Sequence, residues 1–214
     1  MNIRKKLRVI VNAIPLQNIG VGIGRYLRCL YSWMEDLYHE AIEVGYFDGH
    51  SVRDFPPSGP TDLQRWSRAS NLFWRLPVSA ALMIRLCLHL RAELHFRMAA
   101  RGYDLYHEAS FFPFMPVRNL KTVFTIHDLS LMRFPEFHPH ERVLYSKMLL
   151  KRRCGLVDSF ISISEFTSRE MQSLLGVDAA DEHGVDPAAE PRGGELEAAQ
   201  AREQEPERRV ERDR

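Results

Sequence analysis

Leu7-Arg8-Val9-Ile10-Val11-Asn12 and, after the seven residues from Ala13 to Ile19, Gly20-Val21-Gly22-Ile23-Gly24-Arg25-Tyr26 are the two segments that decide the fold. The first is a short apolar run rich in β-branched residues and closing on Asn12, the pattern of a buried strand. The second is a glycine-rich turn. Beyond it Ile23, Tyr26/Leu27, Leu30, Met34 and Leu37/Tyr38 recur at three-to-four spacing, which predicts one helix over 22–38. Outward from this pair the alternation continues. Strands are expected at Ile42–Phe47, Tyr103–His107, Thr122–Ile126 and Ser159–Ile163, with helices at 78–101, 138–154 and 165–175. Gly176 is the helix stop. Phe55–Pro60 reads as a loop, and Thr61 with Gln64 as the capping box of a short helix. Alternating strands and helices imply an α/β, Rossmann-like parallel sheet with helices on both faces.

In the helix over 78–101, Arg85, His89, Glu93 and Arg97 share one face, and Ala80, Met83, Cys87, Leu90, Leu94 and Met98 share the opposite one. The charged face is expected to be solvated. With Arg101, Lys5 and Lys6 it is the candidate for weak contact with an anionic membrane.

The chain has 214 residues with a formal net charge of +1, but the charge is unevenly placed. From Asp178 to Arg214 there are 12 acidic and 6 basic residues, without one aromatic, Lys, Ile, Phe or Met. Such a segment buries too little apolar surface to offset its ordering entropy, so 178–214 is expected to be a disordered charged tail. Its abrupt Ala, Arg, Glu, Asp, Pro and Gly composition is also what GC-rich codons give out of frame, so a frameshifted end is expected. Residues 1–177 hold all 22 aromatics and suffice for one core. Cys29, Cys87 and Cys154 are scattered and odd in number, which fits a reducing cytoplasm. The apolar run after the basic start is too short for a signal peptide, and no stretch is long enough to span a bilayer.

In a parallel sheet, ligands gather at the carboxyl ends of the strands. The loop Gly20–Gly24 runs into a helix, where backbone N–H groups attract phosphate, although a tight turn alone would also use glycines. Its phase is not that of the dinucleotide fingerprint, which counts against a nicotinamide enzyme even with Asp48 placed after the second strand. Thr125-Ile126-His127-Asp128 delivers a histidine to a strand end, suited to bonding a hydroxyl or phosphate, with Asp128 capping the next turn as the plainer role. His107, His127, His138 and His140 have no compact ligand spacing, so no metal is expected. Phe111-Phe112-Pro113-Phe114 reads as a packed loop. Ser164 ends a strand; its first role is a helix cap, its second a ligand contact. No aromatic-interleaved basic patch suggests nucleic acid.

Four stretches then stand in a telling order. They are Gly22-Ile23-Gly24-Arg25-Tyr26, Asp104-Leu105-Tyr106-His107-Glu108, Val123-Phe124-Thr125-Ile126-His127-Asp128-Leu129 with Phe134-Pro135, and Ile161-Ser162-Ile163-Ser164-Glu165-Phe166-Thr167. Over 7–177 they resemble the N-terminal, acceptor-side domain of the retaining glycosyltransferases of family 4, of GT-B architecture. The resemblance implies hexosyl transfer from a nucleotide-diphosphate sugar to a hydroxyl of a glycan or lipid-linked acceptor, in polysaccharide or glycoconjugate assembly. It implies His127 and Asp128 as catalytic residues, His127 bonding sugar or acceptor and Asp128 orienting its loop. Gly22, Gly24, Arg25, Tyr26, His107 and Ser164 become donor-phosphate or acceptor contacts. No cofactor is implied, because the nucleotide sugar is a substrate, and the expected location is the cytoplasm at the inner membrane face.

The family's second domain carries a basic pair and paired glutamates for the donor. Only His183-Gly184-Val185-Asp186-Pro187 resembles the crossing segment toward it. The chain is therefore expected to be a truncated form, inactive alone; a non-catalytic remnant or partner-binding module is the alternative.

Overall fold

The computed structural model of the chain describes residues 5–17, 22–57, 77–110, 113–178 and 181–184. β1 (Leu7–Asn12) lies mid-sheet, paired in parallel with β2 (Ile42–Phe47) on one side and β4 (Leu105–Glu108) on the other. β5 (Lys121–Ile126), β6 (Ser159–Ser162) and β7 (Glu182–Gly184) follow in parallel beyond β4. A two-residue β3 (Val52–Arg53) closes the other edge antiparallel to β2, giving the order β3-β2-β1-β4-β5-β6-β7. The order reverses direction at β1, so the crevice between the carboxyl ends of β1 and β4 is the topological switch point where ligands bind in such sheets.

The period-two alternation of β1 sorts its side chains between two cores. Val9 and Val11 meet Leu27 and Tyr31 of α1 (Gly22–Tyr38), whereas Ile10 faces Phe47, Phe96 and Tyr106 on the side of α2 (Val78–Ala99). A third core forms under α4 (His140–Cys154) and α5 (Glu165–Glu170) from Phe124, Ile126, Tyr145, Leu150, Phe160 and Met171. α1 runs over the same residues that the spacing predicts. Between β5 and α4 lies a single turn, α3 (Ser130–Arg133). After α5 a π turn spans Met171–Leu175 and ends on Gly176 at φ +70°, a left-handed conformation that glycine adopts without strain.

The structure corrects the orientation of α2. Over Arg85, His89 and Glu93 its charged face turns inward, Glu93 buried and the other two half-buried, while Arg97 and the apolar face stay exposed. Glu93 takes the Arg153 guanidinium of α4 through two hydrogen bonds of 2.6 and 3.1 Å and also accepts the Met115 backbone N–H. Two turns earlier Arg85 lies 3.5 Å from Glu141. Opposite charges arriving from α4 make the polar stripe the mating surface, while Met83, Leu90, Leu94 and Met98 stay exposed. Helical periodicity marks two faces but carries no information about the partner.

The ordered unit also continues past Val177. β7 pairs with β6, and the compact unit extends to Gly184. Of the tail expected from Asp178 onward, 179–180 and 185–214 lie outside the described residues, as do the helix at Thr61 and residues Phe111–Phe112. Among the described residues no helix is long and apolar enough to cross a membrane.

Candidate functional site

β5 carries His127 out of the sheet at its carboxyl end, and four contacts then hold the loop it opens. The Ser130 backbone N–H and hydroxyl both donate to Asp128 Oδ1, at 2.9 and 2.6 Å, so Asp128 caps α3. The Thr167 hydroxyl donates to the His127 carbonyl at 3.3 Å. Arg133, at the far end of α3, reaches the buried Glu170 of α5 at 3.3 Å.

The imidazole itself is fixed from two sides. Tyr26 of α1 stands edge-on to it, and one ring nitrogen bonds the Ala109 backbone in the loop after β4. The other nitrogen, Nε2, is buried and has no hydrogen-bond partner among the described residues. Burial lowers the His127 pKa, and Asp128 and the Ala109 bond only partly oppose that. The ring is therefore neutral near pH 7. Nε2, without a hydrogen-bond partner among the described residues, is the ring nitrogen left for a ligand hydroxyl.

Beside His127 lies a cavity of about 150 Å³. Its floor is apolar, from Phe124, Ile126, Leu150 and Ile23, and its polar wall comes from Ser110, Asp128, Ser130, His138, Arg142 and Ser146. Burial, with Arg85 nearby, lowers the Arg142 pKa, but the guanidinium stays charged. The sequence reading missed Ser110, Arg142 and Ser146; they come from separate elements and share no local pattern.

Gly24 is buried, and a Cβ there would sit 3.4 Å from the Pro15 carbonyl, so the residue lets α1 start close to the 3-10 turn over Ile14–Gln17. Gly22 is exposed, and a Cβ on it would meet nothing within 4 Å. Arg25 is exposed in the same turn, and Gly20 lies outside the described residues.

One predicted contact is placed otherwise. His107 does not face the cavity; it is buried between α1 and β5, where Nδ1 lies 2.7 Å from the Tyr31 hydroxyl and Nε2 2.8 Å from Thr125 Oγ1. Both nitrogens are used internally, and burial lowers its pKa to about 4. The residue points inward because its place in β4 puts it on the α1 side of the sheet. Ser164 takes the capping role, accepting the Thr167 N–H at 3.2 Å.

Asp48 is likewise engaged. Burial opposes ionisation, but bonds from Ser51, Arg53 and His50 hold its carboxyl down to about 2, all within the β2–β3 turn. No ribose-binding acid is left there for a nicotinamide cofactor. Among the described residues no three His, Cys, Asp or Glu side chains gather as a metal site.

The residue that ties the site together is Glu108, fully buried at the end of β4. Its Oε2 accepts Asn12 Nδ2 at 2.7 Å and the Tyr106 hydroxyl at 2.5 Å, and its Oε1 accepts the Ser110 N–H and hydroxyl at 2.6 and 2.5 Å. Asn12 in turn accepts the Ile14 N–H. One carboxylate thus pins the loops after β1 and β4 across the switch point.

The model of the family described as Glycosyltransferase Family 4 matches residues 21–187, a span that holds every candidate residue above. The chain belongs to glycosyltransferase family 4. Among relatives of this family-4 chain is O-antigen chain mannosyltransferase B of Escherichia coli, 29% identical over 180 residues. That alignment covers 81% of this chain and 45% of the relative, so the chain spans a little under half the relative's length.

Proposed function

We propose that this chain forms the acceptor-side domain of a retaining hexosyltransferase, which moves a sugar from a nucleotide-diphosphate sugar to a hydroxyl of a glycan or lipid-linked glycan. The carrying observation is His127 in the wall of the cavity, its Nε2 buried and without a hydrogen-bond partner among the described residues and its ring edge-on to Tyr26. A neutral imidazole nitrogen so placed accepts a hydrogen bond from a sugar hydroxyl and orients it. The start of α1 at Gly22 supplies unpaired backbone N–H groups toward a diphosphate. The leaving group of this reaction is already stable as an anion, so what it asks of the protein is positioning and positive dipoles. Asp128 acts through the loop, as cap of α3.

The relative's name, a mannosyltransferase of the O-antigen chain, suggests mannose as the sugar and a surface polysaccharide as the product. Mannose-terminated oligosaccharide titrated into the labelled chain tests the reading. The His127 Nε2 resonance is expected to move saturably, and His127→Ala to abolish binding without changing the far-ultraviolet spectrum. Binding unchanged in the variant removes His127 from the site.

A second reading is a binding module without transfer. It is supported by the position of His127, Asp128 and the start of α1 at the carboxyl end of one sheet, which offers one wall of a cleft. Transfer of labelled sugar by the chain alone discriminates: none is expected until a donor-binding domain is added, and turnover by the isolated chain overturns both the second reading and that expectation.

A further inference from the structure

The polar wall of the His127 cavity has a fixed hydrogen-bond direction. Ser110 and Ser130 both line it. A hydroxyl holds one proton and two lone pairs. The Ser110 proton goes to Glu108 Oε1 at 2.5 Å, and the Ser130 proton to Asp128 Oδ1 at 2.6 Å. What each oxygen keeps for a ligand is a lone pair. Glu108 is held to its part of this from both sides. Its Oε1 also takes the Ser110 backbone N–H and its Oε2 the Asn12 amide, at 2.6 and 2.7 Å. A backbone N–H can only donate, and the Ile14 N–H on the Asn12 oxygen keeps that amide from flipping. Burial raises the Glu108 pKa, and the bonds from Ser110, Tyr106 and Asn12 oppose it. With a donor that cannot reverse on each oxygen, the group acts as an acceptor throughout. Ser130 sends its backbone N–H to the same Asp128 oxygen, so its hydroxyl is tied there too.

Elsewhere in the wall Arg142 carries only donors. A ligand must therefore bring protons to the two serines and an oxygen to the guanidinium. Sugar hydroxyls do both, and a cavity of about 150 Å³ is on the scale of one sugar ring. We propose, resting on the acceptor-side reading above, that Ser110 and Ser130 set the specificity of this cavity by accepting hydrogen bonds from two free hydroxyls of one sugar ring. Glu108 and Asp128 are the positioning residues that fix the direction of those bonds. A ring without a proton at either place leaves a serine oxygen unmatched, and a site built around hydroxyls rejects such a ring.

The full chain is titrated with a mannose-terminated disaccharide and with its deoxy and deoxyfluoro analogues, changed at one terminal-ring hydroxyl at a time. Fluorine keeps the size of the hydroxyl and a weak acceptor but has no proton to give. At the two positions the serines read, both analogues are expected to bind about tenfold more weakly than the free sugar, with fluorine recovering nothing. Ser110→Ala should cost about tenfold on the free sugar and nothing further on the analogues of one position. Ser130→Ala should behave the same way at the other position. Each variant keeps the backbone N–H bond to its carboxylate, so the melting temperature should stay near that of the parent. Deoxyfluoro sugars that bind as well as the free sugar would make the serines donors and overturn the proposal. Equal loss by a variant against every analogue, the mark of a merely structural effect, would also overturn it. If His127→Ala still abolishes binding in either case, the acceptor-side reading survives. A free sugar that does not bind, or binds without regard to His127→Ala, overturns both.

Discussion

The ring of Tyr26 stands edge-on to that of His127, with centroids 5.0 Å apart and planes at 85°. Tyr26 belongs to α1 and His127 to the loop after β5, and their contact makes α1 a wall behind the imidazole. Edge-to-face pairs contribute about 0.5–1.5 kcal/mol beyond buried area. Tyr26→Ala should therefore weaken acceptor binding severalfold, up to about tenfold. Tyr26→Phe keeps the ring edge and loses only a long 3.4 Å contact to Thr125 Oγ1, so it should bind nearly as the parent does. Equal loss in both variants, in the oligosaccharide titration, would shift the role from the ring to the hydroxyl.

His107 makes stability depend on pH. Burial holds its folded pKa at about 4, below the value near 6.5 of an unfolded histidine. Between these values the unfolded chain binds the proton and the folded chain does not, so stability rises with pH across that window. The contribution is complete above about pH 6.5 and is lost as pH falls toward 4, with an upper bound of about 3 kcal/mol. Urea midpoints from pH 7.5 to 4.5 should fall more steeply for the parent than for His107→Gln, which keeps both hydrogen bonds without titrating. Parallel curves would refute the assignment.

The Glu93–Arg153 pair predicts a non-additive double mutant. Arg153→Met leaves a carboxylate buried at α2 and should cost about 3–5 kcal/mol. Adding Glu93→Gln removes the stranded charge and still accepts the Met115 N–H, so most of the loss should return. Chemical denaturation of the two single variants and the double variant measures the coupling.

Two glycines should separate ligand from fold. Gly22→Ala meets open space in a helix, so thermal stability should hold or rise by up to about 1 kcal/mol. Gly45→Ala would put a Cβ 2.3 Å from the Tyr103 hydroxyl and 2.7 Å from Val52 Cγ1, and should destabilise by about 1–3 kcal/mol. In a chain supplied with a donor-binding domain, Gly22→Val should lower sugar transfer at least tenfold while the melting temperature stays near the parent value. A melting temperature that falls with activity would make Gly22 structural.

The parts of the site that the sequence shows are those held in one window of chain. His127 is legible because an apolar strand, a histidine and a capping aspartate stand side by side. Gly24 is legible because a glycine-rich turn runs directly into an amphipathic helix. Glu108 is not legible in this way, although it stands next to His107. Its importance lies in Asn12, Tyr106 and Ser110, and the Asn12 bond joins residues 96 positions apart. Nothing local distinguishes a carboxylate that collects four donors from one that faces water.

By itself the sequence determined the order of strands and helices, the parallel sheet and the loops at its carboxyl end. Those follow from periodicity, helix stops and turn residues, which act over a few residues. Only the tertiary structure decided which way each face looks. It turned His107 inward onto Tyr31 and Thr125, and it turned the polar stripe of α2 onto α4. It also extended the sheet with Glu182–Gly184, a segment with no apolar pattern of its own. In each case the deciding energy belongs to a pair, a buried nitrogen with a hydroxyl, a carboxylate with a guanidinium, or one strand's amides with its neighbour's carbonyls. The second member comes from a distant part of the chain, and a local pattern cannot contain it.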